Sequence, residues 1–295
     1  MLSILIPIYN FDVVGFVKDL SNQASECKIE FEILCFDDGS TTEFKIKNKE
    51  LSTLNNVVYT ELPQNIGRSK IRNLLAEKSQ FEYLLFLDCD STTNNNQFVR
   101  NYIENLKPNT VVYGGRNYSN QAPSAKETHF RWWYGVNRET ISAKERVKQP
   151  YDSFMTNNFM ISKSLFLSIK LDETLQGYGH EDTLFGIELK KKNIPILHIE
   201  NPLCHIGLEG LDEFLQKTKE GIQNLHQLIQ SGKVDESIKL FRFYKLVNKL
   251  GLSNKILKYY TKNKTTIEQK LAENEPNLRW FDIYKLGYLI SLTKP

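Results

Sequence analysis

The sequence predicts an α/β chain with a doubly wound, mostly parallel sheet and a helical C-terminal extension, on three observations. Apolar runs of strand length alternate with amphipathic helix-length segments through the first third of the chain. Three of those strands end in turn-forming or acidic residues. From Leu211 onward the apolar spacing is helical, as in Phe214, Ile222, Leu225, Leu228 and Ile229.

The first strand is Leu2 to Ile6, stopped by Pro7 and followed by polar punctuation at Asn10. An amphipathic stretch from Val13 to about Ala24 places Val13, Phe16, Val17 and Leu20 on one helical face. A second strand, Phe31 to Phe36, runs into Asp37-Asp38-Gly39-Ser40, residues that end strands and start helices. Val57 to Thr60 is a third strand, and Gly67 to Lys78 a helix. The unbroken hydrophobicity of Tyr83 to Leu87 predicts a strand covered on both faces. Helices between strands imply parallel pairing, and ligands then sit beyond the carboxyl ends of the strands. Those ends carry Pro7 to Asn10, Asp37-Asp38 and Asp88-Cys89-Asp90. Four aspartates at one rim call for a compensating cation.

Further along, Val111 to Tyr113 reads as a strand before Gly114-Gly115, and Phe159 to Ile161 as another, followed by a helix from Lys163 to Ile169. Gly177 to Asp182 is a loop entering a helix from Thr183 to Lys192, and Ile194 to Ile199 is a late strand. Ser231-Gly232-Lys233 is the clearest break. A boundary is expected near 208–235, dividing an α/β domain, 1–210, from a helical extension, 211–295.

Composition narrows the classes. The 295 residues are 40% hydrophobic and 25% charged, too apolar for a disordered chain. No run approaches a membrane span, and the first residues lack a basic start and meet Pro7 early, so no secretory signal is read and the cytoplasm is the expected compartment. Cys27, Cys35, Cys89 and Cys204 form no CxxC pair, which points to reduced thiols. The net charge of +3 conceals an asymmetry. Eight basic residues and no acid lie between Lys239 and Lys264, and subtracting them leaves −5 on the remainder. Interleaved with aromatics from Phe241 to Tyr260, this stretch suits an anionic membrane surface or a partner, and equally a solvated helix face. It has no nucleic-acid reading motif.

Asp88-x-Asp90, after a buried strand, is the sharpest chemical feature. Two carboxylates at i and i+2 can share a face, and oxygen ligands suit Mn²⁺ or Mg²⁺ together with substrate phosphates. Asp38 stands at the matching place after the second strand, as a turn residue or as an acceptor for a base or ribose. Arg68 and Arg72 lie one helical turn apart, where they could meet a diphosphate and the acidic rim together. Glu181-Asp182 opens a helix, either as a dipole cap or as a catalytic base with an acceptor-binding neighbour. His205 could supply a nitrogen ligand to the same metal. Trp132-Trp133-Tyr134 reads as core or as a sugar-stacking platform.

Taken in order, Pro7-Ile8-Tyr9-Asn10, Asp37-Asp38-Gly39-Ser40, Asn65-x-Gly67 with Arg72-Asn73, Asp88-x-Asp90 and Glu181-Asp182 resemble family 2 glycosyltransferases of the GT-A fold, over residues 1 to about 210. The resemblance implies an inverting enzyme that moves a sugar from a nucleotide diphosphate to a hydroxyl. It implies Pro7, Tyr9 and Asp38 around the nucleoside, usually uridine, with Arg68 and Arg72 near base and phosphates. Asp88 would approach ribose or metal, Asp90 would bind Mn²⁺ or Mg²⁺, Asp182 would be the base and Glu181 its acceptor-binding neighbour. The loop before Glu181 and the later histidine resemble the galactosyl- and N-acetylhexosaminyltransferase branch, which makes His205 a third metal ligand. That branch carries small residues near the donor sugar where this chain has Asn157-Asn158, and a glycine where it has His180. A UDP-sugar donor and a saccharide or lipid-linked acceptor in surface polysaccharide synthesis follow as expectations, with peripheral membrane contact through the basic stretch.

Two other readings compete. A nucleotidyltransferase would carry a glycine-rich basic loop after the first strand, and Pro7 to Asn10 is neither glycine-rich nor basic. A non-catalytic subunit that binds a nucleotide sugar or scaffolds a complex would need neither Asp90 nor Asp182.

Overall fold

The computed structural model describes residues 1–175 and 177–293, so the last two residues of the expected extension lie outside the described residues. The first strand, β1 (Leu2–Ile8), is buried throughout. After it come α1 (Val14–Glu26), β2 (Phe31–Asp37), α2 (Thr42–Asn48), β3 (Val57–Glu61) and α3 (Arg68–Lys78). β4 (Tyr83–Leu87) leads through β5 (Ser91–Thr92) into α4 (Phe98–Glu104), β6 (Val111–Tyr113) and β7 (Arg116–Asn117). Then come α5 (His129–Tyr134), α6 (Ala143–Arg146), β8 (Asn158–Ser162), α7 (Lys163–Leu167), α8 (Glu181–Lys191), β9 (Ile196–His198) and β10 (Leu203–His205). The remainder is α9 (Leu211–Gln230), α10 (Lys239–Lys249), α11 (Ser253–Leu271) and α12 (Arg279–Thr293).

Seven strands form one sheet in the order β3-β2-β1-β4-β8-β6-β9. β1 pairs in parallel with both β2 and β4, and β2 with β3; β8 runs antiparallel to β4 and β6. The sheet is therefore mostly parallel, as expected, with one reversed strand, β8, between β4 and β6. Alternation along β1 and β4 feeds two cores. Leu2, Ile4, Ile6 and Ile8 join Leu85 and Leu87 in one, against α1 and α4. Leu5, Leu84 and Phe86 belong to the other, with Ile71, Phe166, Phe185 and Leu189 from the helices. Double coverage is why these strands are continuously apolar.

A second, three-stranded sheet, β5-β10-β7, is absent from the sequence-based expectation. Its strands are two or three residues long, too short for a period-two pattern to show. It pairs His205 with Ser91 and Leu203 with Arg116. Behind it, the buried carboxamide of Asn158 donates to Gly115 O at 2.8 Å and Asn201 O at 2.9 Å and accepts from the Tyr102 hydroxyl at 2.6 Å. With all of these groups paired, the polar network holds the β6–β7 turn in one position.

The chain divides into two compact units, 1–119 with 140–174 and 181–207, and 120–139 with 175–180 and 208–295. The break after 207 lies three residues before the one expected from sequence, and two excursions from the first domain's span go with the helical unit. That unit has its own core, built from Phe130, Phe214, Tyr260, Leu271, Phe281 and Tyr284. Tyr134 packs against this core, 5.4 Å from Phe214 between ring centroids, and the Trp133 indole N–H donates to Pro276 O at 3.1 Å. α9 ends where Ser231-Gly232 predicts: Gly232 takes φ +68, and Lys233 N–H returns to Leu228 O at 3.0 Å. No helix among the described residues is long and apolar enough to cross a membrane.

Candidate active site

The order β2-β1-β4 sets the three acidic or polar strand ends side by side, as the rim argument requires. At the β2 end, Asp37 is a turn residue. Its Oδ1 accepts from Ser40 N–H at 2.7 Å and its Oδ2 from the Tyr59 hydroxyl at 3.3 Å. Asp38, 4% exposed, receives the N–H groups of Ile66 at 2.7 Å and Gly67 at 3.1 Å. Burial pushes its carboxyl up from the ordinary range, against those two hydrogen bonds. Asp38 thus ties the end of β2 to the loop that starts α3. At the β1 end, Pro7 is buried within the strand, and the Tyr9 ring beyond it is 53% exposed.

Asp88, after β4, sits among three arginines. Arg72 donates to its Oδ1 at 2.5 Å, Arg116 to its Oδ2 at 3.2 Å, and Arg68 Nη2 lies 4.0 Å from Oδ2. Burial would raise this carboxyl, but the guanidinium charges of Arg72 and Arg68 outweigh it and hold it below the usual range. Arg72 is 3% exposed and also donates to Arg68 O at 3.1 Å, so its guanidinium serves the protein interior. Sequence reasoning missed Arg116. It follows Gly114-Gly115 at the end of β6, and a cation directly after a strand-ending glycine pair was its one visible signal.

Asp90 faces differently. Its Oδ1 is 3.3 Å from His205 Nδ1, and neither ring nitrogen of His205 has a hydrogen-bond partner although the residue is 5% exposed. Burial favours the neutral acid at Asp90, yet the neighbouring imidazole outweighs it and holds the carboxyl low. Tyr118 packs edge-to-face on His205 at 5.4 Å and fixes the ring. Gly207 makes room for this pair, since a Cβ there would stand 2.6 Å from the Asp90 Cβ. No group of three or more His, Cys, Asp or Glu side chains able to hold a metal occurs among the described residues. Asp90 and His205 are thus a two-donor set, an oxygen and an orphaned buried nitrogen. Such a set fits a divalent ion whose other ligands are phosphate and water.

The helix start at α8 separates two adjacent carboxyls. Arg68 Nε donates to Glu181 Oε1 at 2.5 Å, and although burial pushes Glu181 up, the Arg68 charge prevails and holds it low. Asp182 accepts from the Thr156 hydroxyl at 2.5 Å, and burial together with the Glu181 charge pushes it up to about 6. Just before these residues His180 has φ +74, left-handed backbone that favours glycine and that histidine tolerates better than most residues. The residue after Thr156, Asn157, is 3% exposed, and both polar atoms of its side chain lack a partner. Its carbonyl accepts from Asp88 N–H at 3.0 Å, which fixes it beside the arginine cluster. An unpaired buried carboxamide is costly, and its polar atoms call for a partner.

Arg68, Arg72, Asp88, Asp90, Glu181 and His205 are therefore brought together, with Asp182 next in the chain to Glu181, while Pro7, Tyr9 and Asp38 line the neighbouring strand ends.

Comparison with known proteins bears on the family and the fold. The family model for glycosyl transferase family 2 matches residues 3–167. An uncharacterized glycosyltransferase of Haemophilus influenzae is 29% identical over 129 residues, 40% of this chain and 47% of that protein. The match spans about half the length of that curated relative. Among solved structures, the mannosyltransferase PcManGT from Pyrobaculum calidifontis, in complex with GDP-Man and Mn²⁺, superimposes with a TM-score of 0.58 at 11% identity, covering 99% of this chain and 85% of that one. TarS 1–349 of S. aureus gives a TM-score of 0.50 at 16% identity, covering 99% and 90%. At these identities the likeness is one of fold, and the fold is the GT-A type expected from the motifs.

Proposed function

Because the chain belongs to glycosyl transferase family 2, we propose that it is an inverting, divalent-metal-dependent transferase acting on a UDP-linked hexose or N-acetylhexosamine. The acceptor is a hydroxyl of a saccharide or lipid-linked saccharide in surface polysaccharide synthesis. The reaction takes place in the cytoplasm, with peripheral contact at the inner face of the membrane.

The strongest support is the split between two neighbouring carboxyls. Glu181 is kept ionised by Arg68, whereas Asp182 is tuned to about 6, close to the operating pH of a general base. Asp182 takes the proton of the acceptor hydroxyl as that oxygen attacks the anomeric carbon from the face opposite the departing UDP. Thr156 holds the carboxylate in place through its hydroxyl. Glu181 receives a second acceptor hydroxyl. A single base with no second nucleophile gives inversion. Arg68 and Arg116 lend positive charge to the diphosphate, and buried Arg72 fixes Asp88 and, through it, the other two. Tyr9 and Asp38 frame the uridine, and the unpaired Asn157 carboxamide meets a hydroxyl or acetamido group of the donor sugar. Asp90 and His205 would hold a divalent Mn²⁺ or Mg²⁺, which when bound would supply charge neutralisation for the leaving diphosphate.

A donor screen tests this. Incubated with a panel of UDP-sugars and Mn²⁺, the protein is expected to release UDP from one of them. The anomeric proton coupling of the product is expected to report inversion. Retention at the anomeric carbon would overturn the single-base mechanism.

A further inference from the structure

The helical unit carries a surface its own fold does not use. In α10, Val247 turns inward at 8% exposure, while Phe243, Leu246 and the capping Leu250 stand 57%, 50% and 60% exposed. Their i, i+3, i+7 spacing puts them on one stripe. With Leu252 and Tyr259 they are five of the twelve large apolar side chains that are exposed among the described residues. Single exposed apolar residues are ordinary, but a contiguous stripe is a contact surface.

Lys239, Arg242 and Lys249 flank the stripe on the same helix. Beyond the exposed turn at 250–252, α11 continues with Lys255, Lys258, Tyr259 and Lys262, again at helical spacing. Glu236 answers Lys245, while the other seven basic residues between 239 and 264 make no ion pair among the described residues. Two such faces would repel, which disfavours a second copy of this chain. A polyanion such as nucleic acid would answer the lysines and leave the leucines in water. A bilayer of anionic phospholipid satisfies both, with acyl chains for the stripe and headgroups for the lysines.

We propose that α10 and the first turns of α11 form a docking face for an anionic phospholipid bilayer, with Phe243, Leu246 and Leu250 entering the acyl boundary. The proposal deepens the lipid-linked acceptor reading and rests on it for its purpose. Docking would bring the enzyme to the surface where such an acceptor resides.

Co-sedimentation of the full chain with vesicles tests the proposal. Binding is expected to phosphatidylcholine vesicles containing phosphatidylglycerol and not to phosphatidylcholine alone. It should fall as the Debye length shrinks from about 10 Å to about 3 Å between 0.1 and 1 M salt. The triple change Phe243→Ser, Leu246→Ser, Leu250→Ser is expected to weaken binding about tenfold or more. The triple change Lys255→Glu, Lys258→Glu, Lys262→Glu is expected to remove it. All six positions are exposed, so both variants should keep the wild-type melting temperature. Undiminished binding by the apolar triple variant would overturn insertion in favour of simple adsorption. Self-association without vesicle binding would overturn the lipid partner in favour of a second copy. UDP release in solution, measured on the same samples, separates the two readings. Turnover without vesicle binding removes docking alone, and vesicle binding without turnover removes the transferase reading alone.

Discussion

Asp182→Asn is expected to abolish sugar transfer, leave nucleotide binding intact and raise the melting temperature. Asparagine keeps the shape and can still accept the Thr156 hydrogen bond, but it cannot take a proton. Loss of a positioned base costs about 10²–10⁴-fold in rate. The gain in stability follows from linkage. The folded-state pKa of about 6 lies above the ordinary value of 3.8, so the ionised carboxylate is disfavoured by folding. The stability associated with its proton is fully present below 3.8 and lost as pH rises through about 6. At neutral pH the wild type therefore carries a penalty that the variant lacks, on the order of 1 kcal/mol or more. For the wild type, kcat/KM should fall about tenfold per pH unit below about 6, because the base is then protonated. Turnover and thermal melts on the two proteins check this, and a scaffold subunit would lose no activity. An Asp182→Asn variant with wild-type turnover would remove Asp182 from the mechanism.

Asp88 and Asp90 are expected to fail in different ways, although sequence presents them as one motif. Asp88→Asn removes the charge that compensates Arg72, which is 3% exposed, and partly that of Arg116. Leaving a buried cation without its partner costs about 3–5 kcal/mol, so this variant should melt well below wild type or fail to accumulate folded. Asp90 is more open, its side chain 32% exposed, so solvent offsets part of what its pairing with His205 contributes. Asp90→Asn should therefore melt near wild type, lose about 10²–10³-fold in transfer, and need more Mn²⁺ for half-maximal rate. Melting curves and Mn²⁺ titrations of both variants distinguish this from a shared metal-ligand role, in which both would shift the Mn²⁺ demand and neither the stability.

That difference marks where the sequence is legible. β1, β2 and β4 are visible because burial on both faces makes them continuously apolar, and the acidic residues that end them stand out against that background. The motif order from Pro7 to Asp182 then points to the candidate site. Not legible is what the side chains do with one another. Arg72 and Arg68 read as an equivalent pair one turn apart, yet one is interior and the other bridges Asp88 and Glu181. Arg116 and His205 sit on strands of two and three residues that carry no periodic signal and exist only through pairing across distant parts of the chain. The two excursions at 120–139 and 175–180 join the helical unit for the same reason, since a long-range partition leaves no local mark. Asn157 and Asn158 look identical in sequence. Only the contacts reveal that Asn158 is fully paired inside the protein and Asn157 is not.

The most direct measurement is a thermal-shift panel of nucleoside diphosphates, each with Mn²⁺, Mg²⁺ or EDTA, because it needs neither the acceptor nor the donor sugar. A ligand that binds only the native state at about 100 times its Kd stabilises it by about 2.7 kcal/mol, or roughly 5 °C or more for a chain of this size. UDP is expected to give that shift with Mn²⁺ or Mg²⁺ and to lose it in EDTA. No shift with any nucleoside diphosphate, or a UDP shift undiminished by EDTA, would contradict the metal-dependent nucleotide-sugar site.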